Sequence, residues 1–141
     1  MSYDSHGLEI LDRDACLGLL ADDEIGRLAV LAGGAPLILP VNYQLDGDAI
    51  VFRTDPGTKL DQGLRAHAAF EIDSFDRGER TGWSVVVQGR LEEVSEYDAT
   101  TLDRVTHLPV EPWAGGEKAH WVRLVPSSIT GRRVRPHAKV G

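Results

Sequence analysis

Leu37-Ile38-Leu39-Pro40-Val41-Asn42-Tyr43-Gln44-Leu45-Asp46-Gly47-Asp48-Ala49-Ile50-Val51-Phe52-Arg53-Thr54 is the stretch whose reading decides the fold class. Leu37, Leu39, Val41, Tyr43 and Leu45 share one face, and Ile38, Pro40, Asn42 and Gln44 share the other. That period of two is the signature of a half-buried strand. Asp46-Gly47 is a two-residue hairpin signal, and Ile50 to Thr54 reads as the return strand.

Outward from this hairpin the punctuation stays that of a β protein. Upstream, Arg27 to Leu31 reads as a strand ended by Gly33-Gly34-Ala35-Pro36. Asp12 is placed to cap a helix running to about Ala21, with Leu17 and Leu20 inward and Leu11 and Cys16 at staple spacing. Downstream, Asp55-Pro56-Gly57 turns the chain and Thr58 opens a short helix to about Ala66. Ala68 to Asp73 alternates again, with Ala68, Phe70 and Ile72 on one face, and Ser74 to Gly82 reads as a charged loop.

Trp83 to Ser95 reads as a long strand whose Val85-Val86-Val87 run predicts burial on both faces. Glu96 to about His107 is predicted helical, with Leu102 and Val105 apolar, and Leu108 to Gly116 is a loop. Trp121 to Val125 forms the last strand, extended through Ile129 to Val134. Strands dominate and no regular β-α-β alternation occurs, so the expectation is a mainly β, antiparallel barrel with short helices. Residues 1–141 form one domain, with 1–10 and 135–141 expected as flexible tails.

Composition narrows the function classes. The chain has 141 residues, 42% hydrophobic and 26% charged, which is ordinary globular usage. A net charge of -7 argues against a phosphate-backbone footprint, so no nucleic-acid partner is expected. The basic cluster Arg132, Arg133, Arg135 and Lys139 reads as a solvated tail. The single cysteine, Cys16, excludes an internal disulfide and reads as a buried thiol. No signal-peptide layout and no membrane-length apolar run is present, so a cytoplasmic protein without membrane association is expected.

Several chemistries find no motif. There is no Gly-x-Ser-x-Gly turn, no dinucleotide fingerprint and no P-loop. His6, His67, His107, His120 and His137 lack metal-ligand spacing, so no metal site is expected. No carboxylate pair is singled out as catalytic, and the catalytic residues stay unassigned. Trp83, Trp113 and Trp121 read first as core or interface residues.

What remains is the end of the hairpin. Arg53 and Thr54 close a strand, and Thr58 and Lys59 open a helix one tight turn later. First-turn amides beside a Lys and an Arg make an anion site. A capping box, Thr58-x-x-Asp61, satisfies the same amides internally and is favoured on residue physics alone. Pro40 inside a strand belongs at an edge or bulge, where backbone groups are left for a ligand or simply unpaired. Asn42 either bonds a heterocycle edge or faces solvent.

The segment from about Ile25 to Val134 resembles the pyridoxamine 5′-phosphate oxidase-like superfamily of FMN-binding split barrels, and within it the small actinobacterial type related to nitroimidazole-resistance proteins. The resemblance is carried by Gly26-Arg27-Leu28-Ala29-Val30, Pro40-Val41-Asn42-Tyr43, Phe52-Arg53-Thr54, Gly57-Thr58-Lys59, Trp83-Ser84-Val85-Val86-Val87-x-Gly89, Trp121-Val122-Arg123 and Ile129-Thr130-Gly131-Arg132-Arg133.

It implies a six-stranded antiparallel split β-barrel and a homodimer with two FMN molecules between the subunits. On that template the backbone of Pro40, Val41 and Asn42 lines the isoalloxazine ring. Arg53, Thr54, Thr58 and Lys59 hold the phosphate, reversing the preference for a capping box. Ser84 falls where the oxidases place a flavin-contacting glutamine from the partner subunit, and Trp113 and His120, near the partner's flavin in related proteins, are further pocket residues. The oxidases' terminal Arg-x-His is matched only by Arg135-Pro136-His137 in the tail, and their basic strand residues are replaced by Leu39 to Tyr43. Oxidation of vitamin B6 is therefore not expected.

The resulting expectation is a flavin-dependent oxidoreductase acting on a small molecule. The alternatives are a non-catalytic flavin binder or sensor, or a member that holds the deazaflavin coenzyme or haem, with His107 or His120 as the haem ligand.

Overall fold

A computed structural model describes residues 1–55, 67–115 and 120–136. Nine strands and two helices occur among them: β1 (Ser2–Tyr3), β2 (Glu9–Leu11), α1 (Arg13–Asp22), β3 (Ile25–Ala32), β4 (Ala35–Asn42), β5 (Gln44–Asp46), β6 (Ala49–Thr54), β7 (His67–Asp76), β8 (Thr81–Glu93), α2 (Ala99–Thr106) and β9 (His120–Val134). Every pairing is antiparallel, in the order β1-β2-β9-β8-β7-β3-β4, with β6 joining β5 to the other half of β9. The sheet curls without closing, as expected of a split barrel. The six long strands β3, β4, β6, β7, β8 and β9 make the barrel, and β1, β2 and β5 are short additions.

Turn chemistry sets the hairpins. Gly33 and Gly34 take φ of +58° and +80°, the type I′ requirement, and join β3 to β4 with Ala32 opposite Ala35. The second hairpin turns on Gly47-Asp48, one residue later than the sequence signal. Asp46 pairs with Ala49, and Gly47 at φ +64° supplies the positive φ that a II′ turn needs at its first central position.

The core follows the alternation. Leu28, Phe52, Phe70, Ile72, Val85, Val87, Leu91 and Leu124 are fully buried inside the barrel. Gly26 lies against Phe70: a Cβ there would stand 2.2 Å from Phe70 Cζ. Tyr43 meets the same ring edge-on at 4.8 Å and 71°, and its hydroxyl donates to the Leu20 carbonyl at 2.6 Å. These contacts fix the junction between β4 and β5. Ala49, Val51, Val105 and Val110 are also buried, on the other face of β6, toward α2 and the loop that follows it.

Five expectations are corrected. Residues 1–10 are not a loose tail, because β2 pairs with β9 and Glu9, nearly buried, accepts from Arg135 at 2.8 and 3.1 Å and lies 3.6 Å from Arg133. Arg132, Arg133 and Arg135 of the basic cluster are likewise not a solvated tail, since Arg132 reaches Asp4 as well, while Lys139 lies outside the described residues. Ser74 to Gly82 is not a loop. β7 and β8 stay paired to Asp76 and Thr81, and the chain turns only at residues 77–80. Val86 is half-buried between buried Val85 and Val87, so the valine run covers one face and not two. The last strand is one continuous element from His120, and it carries a bulge of its own: Ser127 is the extra residue opposite the Gln88–Gly89 step of β8.

No helix among the described residues is long and apolar enough to cross a membrane.

Candidate functional site

β4 is an end strand in the sheet order, which explains Pro40. Its missing N–H costs no ladder bond on the open side, and on the other side it sits opposite Arg27. Pro40, Val41 and Asn42 therefore border an open sheet edge, with Pro40 exposed and the other two half-buried.

Asn42 is committed at its side chain. Its Oδ1 accepts the backbone N–H of Trp113 at 2.9 Å, and its Nδ2 points to the Glu24 carbonyl at 3.4 Å, which also accepts from Tyr43 N at 3.0 Å. Trp113 itself is 67% exposed.

Arg53 and Thr54 end β6 opposite Trp121 and His120 of β9. The Arg53 guanidinium lies 5.1 Å from the centre of the Trp121 ring, and its Nη1 donates to the Val110 carbonyl at 3.5 Å. Val110 is buried, so residues 107–115 form a strap anchored on Arg53 at one point and Asn42 at another. Three residues of chain separate the anchors, at most about 11 Å. The strap thus brings the ends of β4 and β6 to one side of the barrel.

His120 occupies the opposite face of β9 from Trp121. Its Nδ1 is hydrogen-bonded to the Glu93 carboxylate, at the rim of a cleft of about 510 Å³ lined by Ser95, Tyr97, Leu102 and Trp121. His107 instead caps α2, its ring nitrogen 2.6 Å from the Asp103 carbonyl, largely in solvent.

Of the residues predicted from sequence, Pro40, Val41, Asn42, Arg53, Thr54, Trp113 and His120 gather at this end. Ser84 does not. It pairs with Asp73 and Arg132, and Arg132 stands roughly 40 Å of strand away from His120 along β9. Thr58 and Lys59 lie outside the described residues. Sequence reading missed the Val110 carbonyl and Glu93, because their partners are 57 and 27 residues away and no local spacing marks them.

A carboxylate pair was also missed, although Glu71-x-Asp73 is a visible same-face spacing. Both flank Arg27 of β3, whose nitrogens lie 3.3 Å from Glu71 and 3.7 Å from Asp73. Partial burial, with hydrogen bonding and repulsion from Asp73, pushes the Glu71 carboxyl up to about 7 despite Arg27. Elsewhere, Arg104 grips Asp46 through two bonds of 2.7 and 2.9 Å and holds that carboxyl below its ordinary value. No cluster of three or more His, Cys, Asp or Glu able to hold a metal ion occurs among the described residues.

An open antiparallel barrel whose end strand, β4, pairs only with β3 among the described residues defines the class: a split barrel. The sequence profile of the pyridoxamine 5′-phosphate oxidase family matches residues 12–133, and the chain belongs to that family. An uncharacterised protein of Mycobacterium tuberculosis is 35% identical over 130 residues, covering 88% of this chain and 84% of its own. An FAD-binding protein of Mycobacterium smegmatis superposes with a TM-score of 0.76 at 33% identity, covering 89% of this chain and 97% of that one. An FAD- and haem-binding protein of the same organism shares the fold, with a TM-score of 0.66 at 17% identity over 90% and 74% of the two chains.

Proposed function

We propose that this protein binds a flavin nucleotide, FMN in the first instance, and uses it as an oxidoreductase on a small molecule. The observation that carries the reading is the strap, which draws the open edge at Pro40–Asn42 and the cation at Arg53 to one side of the barrel. Those residues fit the group: an edge backbone suits the polar rim of a planar heterocycle, and a guanidinium at a strand end suits its phosphate. FAD carries the same riboflavin 5′-phosphate, so the same residues would take that portion, and the 33% identical FAD-binding relative supports this class of ligand.

When bound, the flavin would carry electrons from a donor to the substrate. The protein's own work is to bind and orient. Pro40, Val41 and Asn42 border the ring, while Arg53 and Lys59 neutralise the phosphate and the hydroxyls of Thr54 and Thr58 donate hydrogen bonds to it. The Arg53 guanidinium, 5.1 Å from the centre of the Trp121 ring, is held at the end of β6 by a cation–π contact.

The reading includes a homodimer. On the outer face of the sheet, exposed Leu31 and Ile38 stand beside a shallow hollow of about 420 Å³ lined by Ala29, Pro36, Ala69 and Gln88. Exposed apolar groups beside a small-residue hollow favour association with a second copy. Ser84, remote from its own chain's site, is then available to the partner's. The reading also takes the protein as cytoplasmic.

Titration with FMN and riboflavin tests the phosphate assignment: FMN binds more tightly, and Lys59→Ala or Arg53→Ala narrows the difference. Equal affinity of the two in the wild type refutes it. A second reading, haem, has one observation in its favour. Glu93 holds His120 Nδ1 and thereby orients its other nitrogen for a metal. A Soret band that survives gel filtration and is lost in His120→Ala would select it.

A further inference from the structure

We infer that two copies of the chain associate through the outer face of β3, β7 and β8, bringing Arg27 of each toward the partner's Glu71 and Asp73, and that association takes up a proton at each Glu71. This rests on the homodimer reading above and adds to it the charges that meet and the effect of pH.

Placement is the first support. Leu28, Phe70, Ile72, Val85 and Val87 are buried in the barrel, so Arg27, Glu71, Asp73, Ser84 and Val86 alternate outward. Register sets Pro40, Arg27, Glu71 and Val86 in one row across four strands. The adjoining row is Ile38, Ala29, Ala69 and Gln88, three of which belong to the apolar patch and its hollow. The charged cluster is therefore continuous with that patch.

Burial and charge supply the rest. Glu71 and Asp73 keep 32% and 21% of their side-chain surface, whereas Arg27 keeps 53%. Its five N–H groups are not exhausted by one contact to each carboxylate, so donors are left for a second pair. One cation between two carboxylates leaves each fully ionised cluster with an excess negative charge. The nearest outward groups on β8, Ser84, Val86 and Gln88, are uncharged, and Arg132, across Ser84, is paired with Asp4. His67 and Arg90 stand at the far end of the face, roughly 13 Å along the strand from Glu71.

A two-fold axis presents the same patch on both copies. Two guanidinium groups then meet four carboxylates in a face removed from water, where unbalanced charge is costly. A proton on each Glu71 balances the set. The carboxyl already stands at about 7 in the single chain, raised by partial burial and by Asp73, and association raises it further. The dimer is thus fully stabilised below about pH 7 and weakens as pH rises through the higher value. His67, at the margin of the hollow, acts in the opposite sense, because burial disfavours its cation.

Sedimentation equilibrium of the full-length protein at constant ionic strength, from about pH 5.5 to about pH 9, tests this. The wild-type dimer dissociation constant should be flat below about pH 7 and rise about tenfold or more by about pH 8.5. Glu71→Gln, a neutral stand-in for the protonated acid, should dimerise tightly and without that rise, while His67→Gln should follow wild type. Val86→Arg, which sets two new cations on the shared face, should shift the protein toward monomer. Each variant is checked for cooperative melting; should Glu71→Gln not fold, Asp73→Asn, which also balances the charges, should flatten the profile instead. A dimer whose pH profile is the same in wild type and Glu71→Gln overturns the inference and leaves the homodimer reading standing. So does a dimer indifferent to Val86→Arg, or one that tightens as pH rises. Wild type that stays monomeric at every pH overturns the homodimer reading, and this inference with it.

Discussion

The guanidinium of Arg53 lies 5.1 Å from the centre of the Trp121 ring, its cross-strand partner on β9. The pairing gives a cation at the candidate phosphate site a fixed platform, which a surface arginine would lack. Replacing Arg53 by Ala is expected to weaken FMN binding about tenfold to a hundredfold, the range for one charge-assisted hydrogen bond. Riboflavin affinity should change little. Arg53→Lys should recover only part of the loss, because an ammonium cannot stack and bond in one plane. Paired titrations of FMN and riboflavin check this.

Gly26 tests the link between core and site. With 2.2 Å to Phe70 Cζ and 2.9 Å to the Glu71 carbonyl, a Cβ at residue 26 cannot be admitted without displacing β7 or β3. Gly26→Ala is expected to cost about 1–3 kcal/mol in urea unfolding. Because Gly26 pairs with Val41, the same change should loosen ligand binding at the β4 edge.

Glu71 should make stability depend on pH. Its carboxyl titrates near 7 in the folded chain and near its ordinary 4.5 when unfolded. A raised acid favours the folded state at low pH, and that contribution is lost as pH rises from about 4.5 through 7. The wild-type melting temperature should therefore decline across this window, and Glu71→Gln should flatten the decline. An identical profile in both proteins would contradict the raised Glu71 carboxyl.

Asp46 works in the opposite sense. Arg104, first by its paired hydrogen bonds, holds this carboxyl below its ordinary 3.8, so its contribution is present above that pH and vanishes as pH falls through the folded value. Arg104→Gln should lower the urea midpoint at pH 7 and converge with wild type in acid, once the Asp46 carboxyl is protonated in both states. Since Arg104 is on α2 and Asp46 ends β5, hydrogen exchange should show α2 loosened first.

Much of this was legible in the chain. The alternation of Leu37 to Leu45, the glycines at 33, 34 and 47 and the Asp12 cap announce local structure, because strand period, positive φ and capping are local physics. The Asp12 side chain accepts from Ala15 N as capping requires, and Leu11 and Cys16 both reach the core. What sequence could not show is register. Trp121 beneath Arg53, Glu93 on His120 and Trp113 on Asn42 are pairings between distant segments, set only when β6, β8 and β9 align. The tails failed for a related reason. Arg132, Arg133 and Arg135 look like a solvated run until Glu9 and Asp4 arrive from the other end of the chain.

The most direct test of the central claim is an absorbance spectrum of freshly purified protein, taken before and after adding FMN and desalting. Retained bands in the flavin region, released as FMN or FAD on denaturation, are the predicted result. A protein that is colourless as purified and returns from desalting without added FMN or FAD would contradict the account.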